Sequence, residues 1–245
     1  MSMLEMLLQF LLGPLTLILE TIYGASVDLI GSFGAAIIPL SLTVNFLLLP
    51  FYKRAETIQA EERAIQKKLE IGIRHIKSAF KGDERYMILQ TYYRQNHYKP
   101  IYSLRSLLPL ALEIPFFVAA YNFLSSIEVF NGNSYGTLIS NLGAPDQLLI
   151  LGGISINVLP IIMTIVNVIS SEIYTHGAPI KEKIILHGAA LIFLILLYNS
   201  PSALVFYWLL NNIFSLLKNL IAIVMDSINE SVSMRHIKPH LYEKV

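Results

Sequence analysis

Six polar side chains stand inside long apolar stretches of this sequence, and their types limit the chemistry that they can do. They are four amides, one carboxyl group and one imidazole: Asn45, Asn167, Asn211, Asn212, Glu113 and His187. Groups of these types hydrogen-bond one another, or they hold water and polar peptide groups. The pattern therefore predicts a site for packing or binding, and the sequence offers no catalytic constellation around it.

Signatures of enzymes are missing from the sequence. It contains no Gly-x-x-x-x-Gly-Lys, Gly-x-Ser-x-Gly or His-Glu-x-x-His pattern, which would indicate phosphate binding, a serine nucleophile or a zinc protease. The six histidines do not form ligand pairs, and the chain has no cysteine, which excludes disulfides and thiolate metal sites. We therefore expect neither an enzymatic activity nor a cofactor or metal.

The elements that position the six polar groups are predicted to be membrane helices. Hydrophobic residues make up 54% of the chain and charged residues 14%, with a mean hydropathy of +0.57, whereas about a quarter of a soluble protein is charged. Stretches of about 20 apolar residues match the hydrocarbon thickness of a bilayer. The sequence predicts an all-α membrane protein with five transmembrane helices, at about 31–52, 107–124, 148–170, 183–199 and 203–224.

Basic residues fix the predicted orientation of these helices. Eleven of the eighteen Lys and Arg residues lie within 53–100, whereas 1–30, 125–147 and 200–202 contain none. Because short loops rich in Lys and Arg stay in the cytosol, we expect the N-terminus outside. The C-terminal tail, 226–245, is then cytosolic.

In that orientation the polar groups share a depth in the cytosolic half of the bilayer. Asn45 precedes Lys53 by eight residues and Glu113 follows Arg105 by eight, so each lies about 12 Å inside the boundary. A charged side chain at the bilayer centre costs about 2.5–3.5 kcal/mol, so these groups should face protein or water. Two alternatives remain open: the groups hydrogen-bond one another in a dry bundle, or they line a wet recess that opens to the cytosol.

The first 30 residues are predicted to be an interfacial amphipathic helix and a linker. The apolar stretch 3–23 contains Glu5 and Glu20 and is interrupted by Gly13-Pro14, and proline bends a helix. A helix in the outer interface would keep both carboxyl groups wet. The competing interpretation makes this stretch a sixth span.

The basic segment 53–100 is predicted to be a cytosolic helical hairpin. Apolar residues recur at helical spacing through 55–79, Gly82-Asp83 breaks the pattern, and a second helix follows. The hairpin is either a solvated connection or a basic arm that contacts anionic lipid head groups, ribosomal nucleic acid or a targeting factor. It contains no nucleic-acid-binding fold motif, so we expect no specific nucleic-acid recognition. The basic residues available for such contacts include Arg63, Lys67, Lys68, Arg74, Lys77, Lys81 and Arg85.

The order of several short motifs resembles a known family. The sequence is similar over residues 10–225 to the membrane protein insertases of the YidC/Oxa1/Alb3 group. The resemblance lies in Phe10 to Leu15, Leu42 to Pro50 before a charged hairpin, Pro109 to Phe117 with Tyr121, Leu159 to Met163, and Asn199 to Asn212. It implies an interfacial first helix, a hairpin needed for activity, and a positively charged hydrophilic groove that receives the substrate's extracellular portion.

Two positions depart from the family pattern. The groove arginine of the family corresponds to Asn45, and the usual glutamine before the second proline of span two corresponds to Glu113. Both changes move the groove from cationic toward neutral or anionic. The resemblance thus implies a divergent, specialised paralogue with altered groove charge.

These observations lead to one functional hypothesis and two alternatives. The expected function is a membrane protein insertase or chaperone in the plasma membrane of a prokaryote. Its expected partners are client membrane proteins and anionic lipids, with a ribosome, targeting factor or secretion channel as further candidates. The alternatives are a small-solute transporter that uses the same polar layer, which would commonly show an internal repeat, and a purely structural partner in a larger complex.

Overall fold

A computed structural model gives the architecture of residues 3–126, 130–136, 139–175 and 180–237. These residues form seven α-helices, one 3-10 helix and one two-stranded sheet. The α-helices are α1 (Met3–Ile30), α2 (Ile37–Ala79), α3 (Gly82–Gln95), α4 (Leu108–Ser126), α5 (Val158–Tyr174), α6 (Ile180–Leu197) and α7 (Ser202–Ile237). The 3-10 helix is Pro100–Leu107, and the strands are β1 (Leu149–Leu151) and β2 (Ile154–Ile156). The prediction of a predominantly helical chain is confirmed.

Two stretches are long and apolar enough to cross a membrane, judged by length and composition. Within the described ranges they are Leu12–Ile30 and Ser202–Met225, and α5 is a shorter apolar helix of 17 residues. The first stretch falls in the segment that was predicted to lie on the membrane. Its length therefore also fits the competing interpretation of a sixth span, and the number of crossings stays a prediction.

One helix continues through the proline that was expected to interrupt it, and α2 also contains a proline. Pro14 lies inside α1 and Pro50 lies inside α2. A proline removes one hydrogen bond from the helix, and the turns on either side keep theirs. As a result α2 runs without a break from the predicted first span into the predicted hairpin.

The chain packs as two compact units, and the first contains the hairpin. This unit comprises residues up to 15 together with 46–119. The turn between α2 and α3 lies at Phe80 and Lys81, beside the predicted break, and Gly82 has a φ of +57° that favours glycine. Gly72 of α2 lets α3 approach closely, since a Cβ at this position would overlap the ring and hydroxyl of Tyr92.

A buried carboxyl group on α2 binds the chain that follows α3, at the base of the helical hairpin. Glu62 is 1% exposed, and its Oε1 accepts hydrogen bonds from the Tyr98 hydroxyl at 2.6 Å and from Gln66 Nε2 at 3.0 Å. The Tyr98 ring packs between Tyr93 and Tyr102, and the guanidinium of Arg105 lies 4.2 Å from the centre of the Tyr102 ring. An aromatic column therefore runs from α3 into the 3-10 helix.

The second unit comprises residues 16–45 and the chain from 120 onward. Within it α5 packs against both α6 and α7. Its buried core includes Met163, Leu204 and Tyr207. The loop before β1 is attached to the start of α7, because the backbone and side chain of Ser202 both donate to the carbonyl of Ala144, at 2.8 and 2.6 Å.

The helix in the region of the third predicted span begins later than the sequence indicated. The prediction has one helix over 148–170, whereas the structure forms the β1–β2 hairpin first and begins α5 at Val158. Gly152 and Gly153 both have positive φ, at +57° and +86°, and two such residues form the tight turn that joins antiparallel strands. Hydropathy does not distinguish a short apolar hairpin from the first turns of an apolar helix.

Candidate functional site

The first pair of predicted amides joins α2 to α7. Asn45 Nδ2 donates to Asn211 Oδ1 at 2.5 Å and to the carbonyl of Ser41 at 2.9 Å. The Ser41 hydroxyl donates to the same Asn211 oxygen at 2.7 Å. Asn45 is buried and Asn211 is half-buried, so this pair reaches from the protein interior toward its surface.

The second pair joins α5 to α7. Asn167 Nδ2 donates to Asn212 Oδ1 at 3.2 Å, and Asn212 Nδ2 donates to the carbonyl of Met163 at 3.4 Å. Asn212 is buried, whereas Asn167 is half-buried. Consecutive residues of a helix point about 100° apart, which is why Asn211 and Asn212 reach two different helices.

The polar contacts between α5 and α7 continue beyond the predicted residues. Asn219 Nδ2 donates to the carbonyl and the hydroxyl of Ser170, at 3.2 and 3.0 Å, and the Ser170 hydroxyl donates to Ser215 Oγ at 3.3 Å. Sequence reasoning missed these residues. The signal was available, because Asn219 follows Asn212 by seven residues, or two helical turns.

His187 takes part in an ion cluster at the adjoining ends of α5 and α6. Its Nε2 lies 3.4 Å from Glu172 Oε1, and Lys183 Nζ lies 2.6 Å from Glu172 Oε2. The hydrogen bond from Lys183 lowers the pKa of Glu172, with smaller contributions from the charges of Lys183 and His187. Among the described residues, His187 is therefore placed with this cluster and the four amides are placed with one another.

Glu113 lies on α4 and is half-buried. It belongs to the first compact unit, whereas the four amides belong to the second. Its predicted place in a groove with the amides stays a prediction.

The predicted basic contacts of the hairpin are largely open to solvent. Arg63 is half-buried, and the other six basic side chains are exposed. Arg74 forms a surface ion pair with Glu70 at 2.7 Å, and such pairs contribute little to stability. Exposure and positive charge leave this surface available for an anionic partner.

The geometry of the amides combines features of both arrangements that the sequence left open. The four amides form two hydrogen-bonded pairs that link α7 to α2 and to α5, and such bonds between helices are what a dry bundle requires. Asn167 and Asn211 are only half-buried, and partial exposure of the amide residues is what a recess requires. We refer to Asn45, Asn167, Asn211 and Asn212 together as the amide cluster, and its two pairs are held by neutral, non-covalent contacts.

Comparison with known proteins identifies the family of the chain. Residues 25–241 match the 60Kd inner membrane protein family. The chain is 28% identical over 213 residues to the membrane protein insertase YidC of Syntrophobacter fumaroxidans, covering 84% of this chain and 36% of that protein. It is 24% identical over 209 residues to YidC of Endomicrobium trichonymphae, covering 84% of this chain and 38% of that protein. It is 28% identical over 210 residues to YidC of Haemophilus influenzae, covering 84% of this chain and 35% of that protein.

The chain thus spans little more than a third of the length of these curated relatives. The family match nevertheless covers residues 46–119 of the first unit, which include the helical hairpin, and most of the second unit, which includes all four amides of the cluster. The chain therefore belongs to the 60Kd inner membrane protein family, the YidC/Oxa1 family that its motifs resemble.

Proposed function

We propose that this protein is a membrane protein insertase or chaperone that receives polar segments of client polypeptides in a hydrophilic recess open to the cytosol and to lipid. The observation that carries the proposal is the amide cluster, which lies within apolar helices and is partly uncovered at Asn167 and Asn211. Membership in a family whose relatives are named insertases supports the same function. No nucleotide or ion gradient is needed for this activity.

The proposed mechanism is an exchange of hydrogen bonds. A neutral hydrogen bond contributes about 0.5–1.5 kcal/mol to stability, and side-chain hydrogen bonds between membrane helices average about 0.6 kcal/mol. A polar client segment can therefore replace an Asn–Asn contact at little cost. The client's own polar groups then avoid hydrocarbon over half of the bilayer, which lowers the barrier to insertion.

The charge of the recess determines the proposed client preference. Asn45 stands where the family resemblance implies an arginine, and Glu113 adds a carboxyl group to the predicted recess. Such a recess attracts acidic segments less than a cationic groove does. We therefore infer a specialised paralogue that accepts neutral or basic client segments.

The proposed arrangement in the membrane follows the distribution of basic residues. Five spans within 31–225 form the insertase-like core, with the N-terminus outside, the hairpin 53–100 in the cytosol and a cytosolic tail over 226–245. The predicted linker before residue 31 is wrong, because α1 is one helix over Met3–Ile30, and we propose that this whole helix lies in the outer interface. The hairpin's exposed cations are positioned to bind anionic head groups, and the membrane is the plasma membrane of a prokaryote.

Thiol labelling tests whether the recess is open to the cytosol. The natural chain has no cysteine, so Asn167→Cys or Asn211→Cys introduces a single reactive site. A membrane-impermeant thiol reagent added from the cytosolic side should label both variants, and should not label Leu204→Cys in the buried core. Protection of both amide positions to the level of the core control would overturn the recess.

Crosslinking to a client separates an insertase from a transporter. A photoreactive group attached at position 211 should crosslink to a ribosome-bound nascent membrane protein during its insertion. A small-solute transporter would give no such product while still taking up its solute.

The charge argument has its own test. The variant Asn45→Arg should increase insertion of a client with an acidic translocated tail, and Asn45→Gln serves as an uncharged control of similar length. Equal insertion by the arginine variant, the glutamine variant and the natural protein would contradict the proposed client preference.

A further inference from the structure

The β1–β2 hairpin presents an uncovered apolar face. Leu149 pairs with Ile156 and Leu151 pairs with Ile154, and alternation along a strand puts these four aliphatic side chains on one face. Leu149, Leu151 and Ile154 are 43%, 57% and 70% exposed. Ile150, paired with Ser155 on the opposite face, is 69% exposed. The hairpin therefore has aliphatic surface that the described protein does not cover.

Hydrogen bonds at its base hold this hairpin in a fixed place. Asp146 Oδ1 accepts from the backbone N–H groups of Val158 and Leu148, at 2.7 and 3.1 Å, and its Oδ2 accepts from that of Leu159 at 3.0 Å. Asn157 Oδ1 accepts from the backbone of Gln147 at 3.1 Å. A carboxyl group at a helix N-terminus satisfies N–H groups that have no partner within the helix. These bonds attach both ends of the hairpin to the start of α5.

A second contact joins the hairpin base to the turn between α6 and α7. Asn157 Nδ2 donates to the carbonyl of Tyr198 at 2.7 Å, and Asn157 is buried. An isolated two-stranded hairpin is marginally stable in water. The base clamp defined by Asp146 and Asn157 keeps the exposed apolar face aimed in one direction.

The neighbouring surface of α5 indicates what covers this face. Ile161, Ile162, Ile165 and Ile169 are all exposed on α5, and exposed aliphatic residues of a membrane helix contact acyl chains. No charged residue occurs between Asp146 and Glu172. The aliphatic face of the hairpin therefore extends an apolar surface that meets lipid.

The backbone of the hairpin limits how deep it can lie. Each of its two strands has one neighbour, so the N–H and C=O groups on the outer edges lack partners in the sheet. Unpaired backbone groups are costly in hydrocarbon. Ser155 also requires a polar environment. These groups fit the boundary between head groups and acyl chains, where one side of an amphipathic element is wet.

We propose that the β1–β2 hairpin is a lipid anchor that lies in the outer membrane–water interface at the N-terminal end of α5, with Leu149, Leu151, Ile154 and Ile156 against the acyl chains. This proposal rests on the membrane crossing of α5 within the proposed function. It assigns a lipid-binding surface to a segment outside the amide cluster.

Depth measurements in vesicles test the anchor. The full-length variant Ile154→Cys carries an environment-sensitive fluorophore in phosphatidylcholine and phosphatidylglycerol vesicles that contain lipids with quenchers at shallow or deep positions. The label should lie about 5–10 Å below the head-group boundary, the depth of interfacial elements. The matched control Ser155→Cys, on the opposite face, should lie closer to water.

Three further results complete the test. A label at Ile165→Cys reports the crossing of α5 by itself: deep quenching there, together with no lipid quenching at position 154, overturns the anchor alone. Water exposure at both positions overturns the crossing of α5 and the anchor together. Self-quenching at position 154 that rises with the protein-to-lipid ratio, without lipid quenching, assigns the face to a second copy of the chain and also overturns the anchor.

Discussion

Replacing Tyr98 with phenylalanine removes a hydroxyl from the base of the cytosolic hairpin and leaves the ring in place. That hydroxyl donates at 2.6 Å to Glu62, and Gln66 is the other described donor to the same oxygen. The second oxygen of Glu62, Oε2, is buried without a hydrogen-bond partner among the described residues. The carboxyl group therefore depends on few donors, and losing one is expected to loosen the hairpin.

The burial of Glu62, the acceptor, determines how much free energy the hairpin loses in Tyr98→Phe. Leaving a buried polar group without its partner costs about 1–3 kcal/mol. With Glu62 1% exposed, water cannot replace the lost donor without opening the structure. A loss of about 2 kcal/mol corresponds to a roughly 30-fold increase in the opening equilibrium of the hairpin.

Hydrogen exchange of the full-length protein in vesicles measures this opening. The backbone N–H groups of Asn96 and Tyr98 donate to the carbonyls of Tyr92 and Tyr93 at the end of α3, so their exchange reports on the base of the hairpin. In Tyr98→Phe both amides should exchange roughly 10- to 100-fold faster. The control Tyr102→Phe keeps the aromatic column and removes a hydroxyl that makes no hydrogen bond within the described ranges, so its exchange should match that of the natural protein.

A double replacement separates the hydrogen bond from ring packing. In Tyr98→Phe combined with Glu62→Met, the base of the hairpin no longer holds the buried carboxyl group of Glu62, and replacing both partners by apolar groups can be nearly neutral. Exchange should then be slower than in Tyr98→Phe alone. Unchanged exchange in Tyr98→Phe, or equal exchange in the single and double variants, would refute this account of the hairpin base.

The hydrogen bond between Tyr98 and Glu62 also predicts that the stability of the helical hairpin falls at alkaline pH. Burial, followed by the hydrogen bond to Glu62, raises the pKa of Tyr98 above the ordinary tyrosine value of 10.0. A raised pKa in the folded state contributes stability that is fully present below pH 10 and is lost as the pH rises through the folded-state value. Tyr98→Phe should remove this alkaline loosening of the hairpin.

Three other changes test separate parts of the structure. Gly72→Ala should loosen the hairpin because its methyl group overlaps Tyr92, and exchange of the α3 amides should return toward normal when Tyr92→Ala is added. Lys183→Ala should raise the pKa of Glu172 toward its ordinary value in a carboxyl NMR titration. In the natural protein the depressed pKa of Glu172 contributes stability that is present at pH values above the ordinary glutamate pKa and is lost as the pH falls through the folded-state pKa. An unchanged titration of Glu172 in Lys183→Ala would contradict the ion cluster. Asn212→Leu should lower thermal stability in detergent by about 0.6–2 kcal/mol, and stability equal to the natural protein would show that the contact between α5 and α7 does not depend on this amide.

The sequence was sufficient for features that have a strong local signal. Helical spacing and hydropathy predicted most of the helices, and Gly82-Asp83 lies within two residues of the observed turn. The amides of the cluster were predicted as a group because each stands out against an apolar background. In the structure they form the pairs Asn45–Asn211 and Asn167–Asn212, and their shared depth in the bilayer stays a prediction.

Features that depend on tertiary partners were harder to predict. The sequence does not show that Asn211 turns to α2 and Asn212 to α5, since this depends on how α7 is rotated in the bundle. Glu62 is one of several charged residues of α2, and it gains its partner Tyr98 only because the chain returns past α3. The β1–β2 hairpin was missed because Gly152-Gly153 lies between two short aliphatic stretches, which resemble the first turns of an apolar helix.

The adjacent asparagines of α7 also constrain the azimuth of that helix. One amide engages α2 and the next engages α5, so turning α7 about its own axis would strain both contacts at once. Inserting or deleting one residue just before Asn211 would change its angular position by about 100°. The two asparagines therefore fix the rotation of α7 about its own axis relative to α2 and α5.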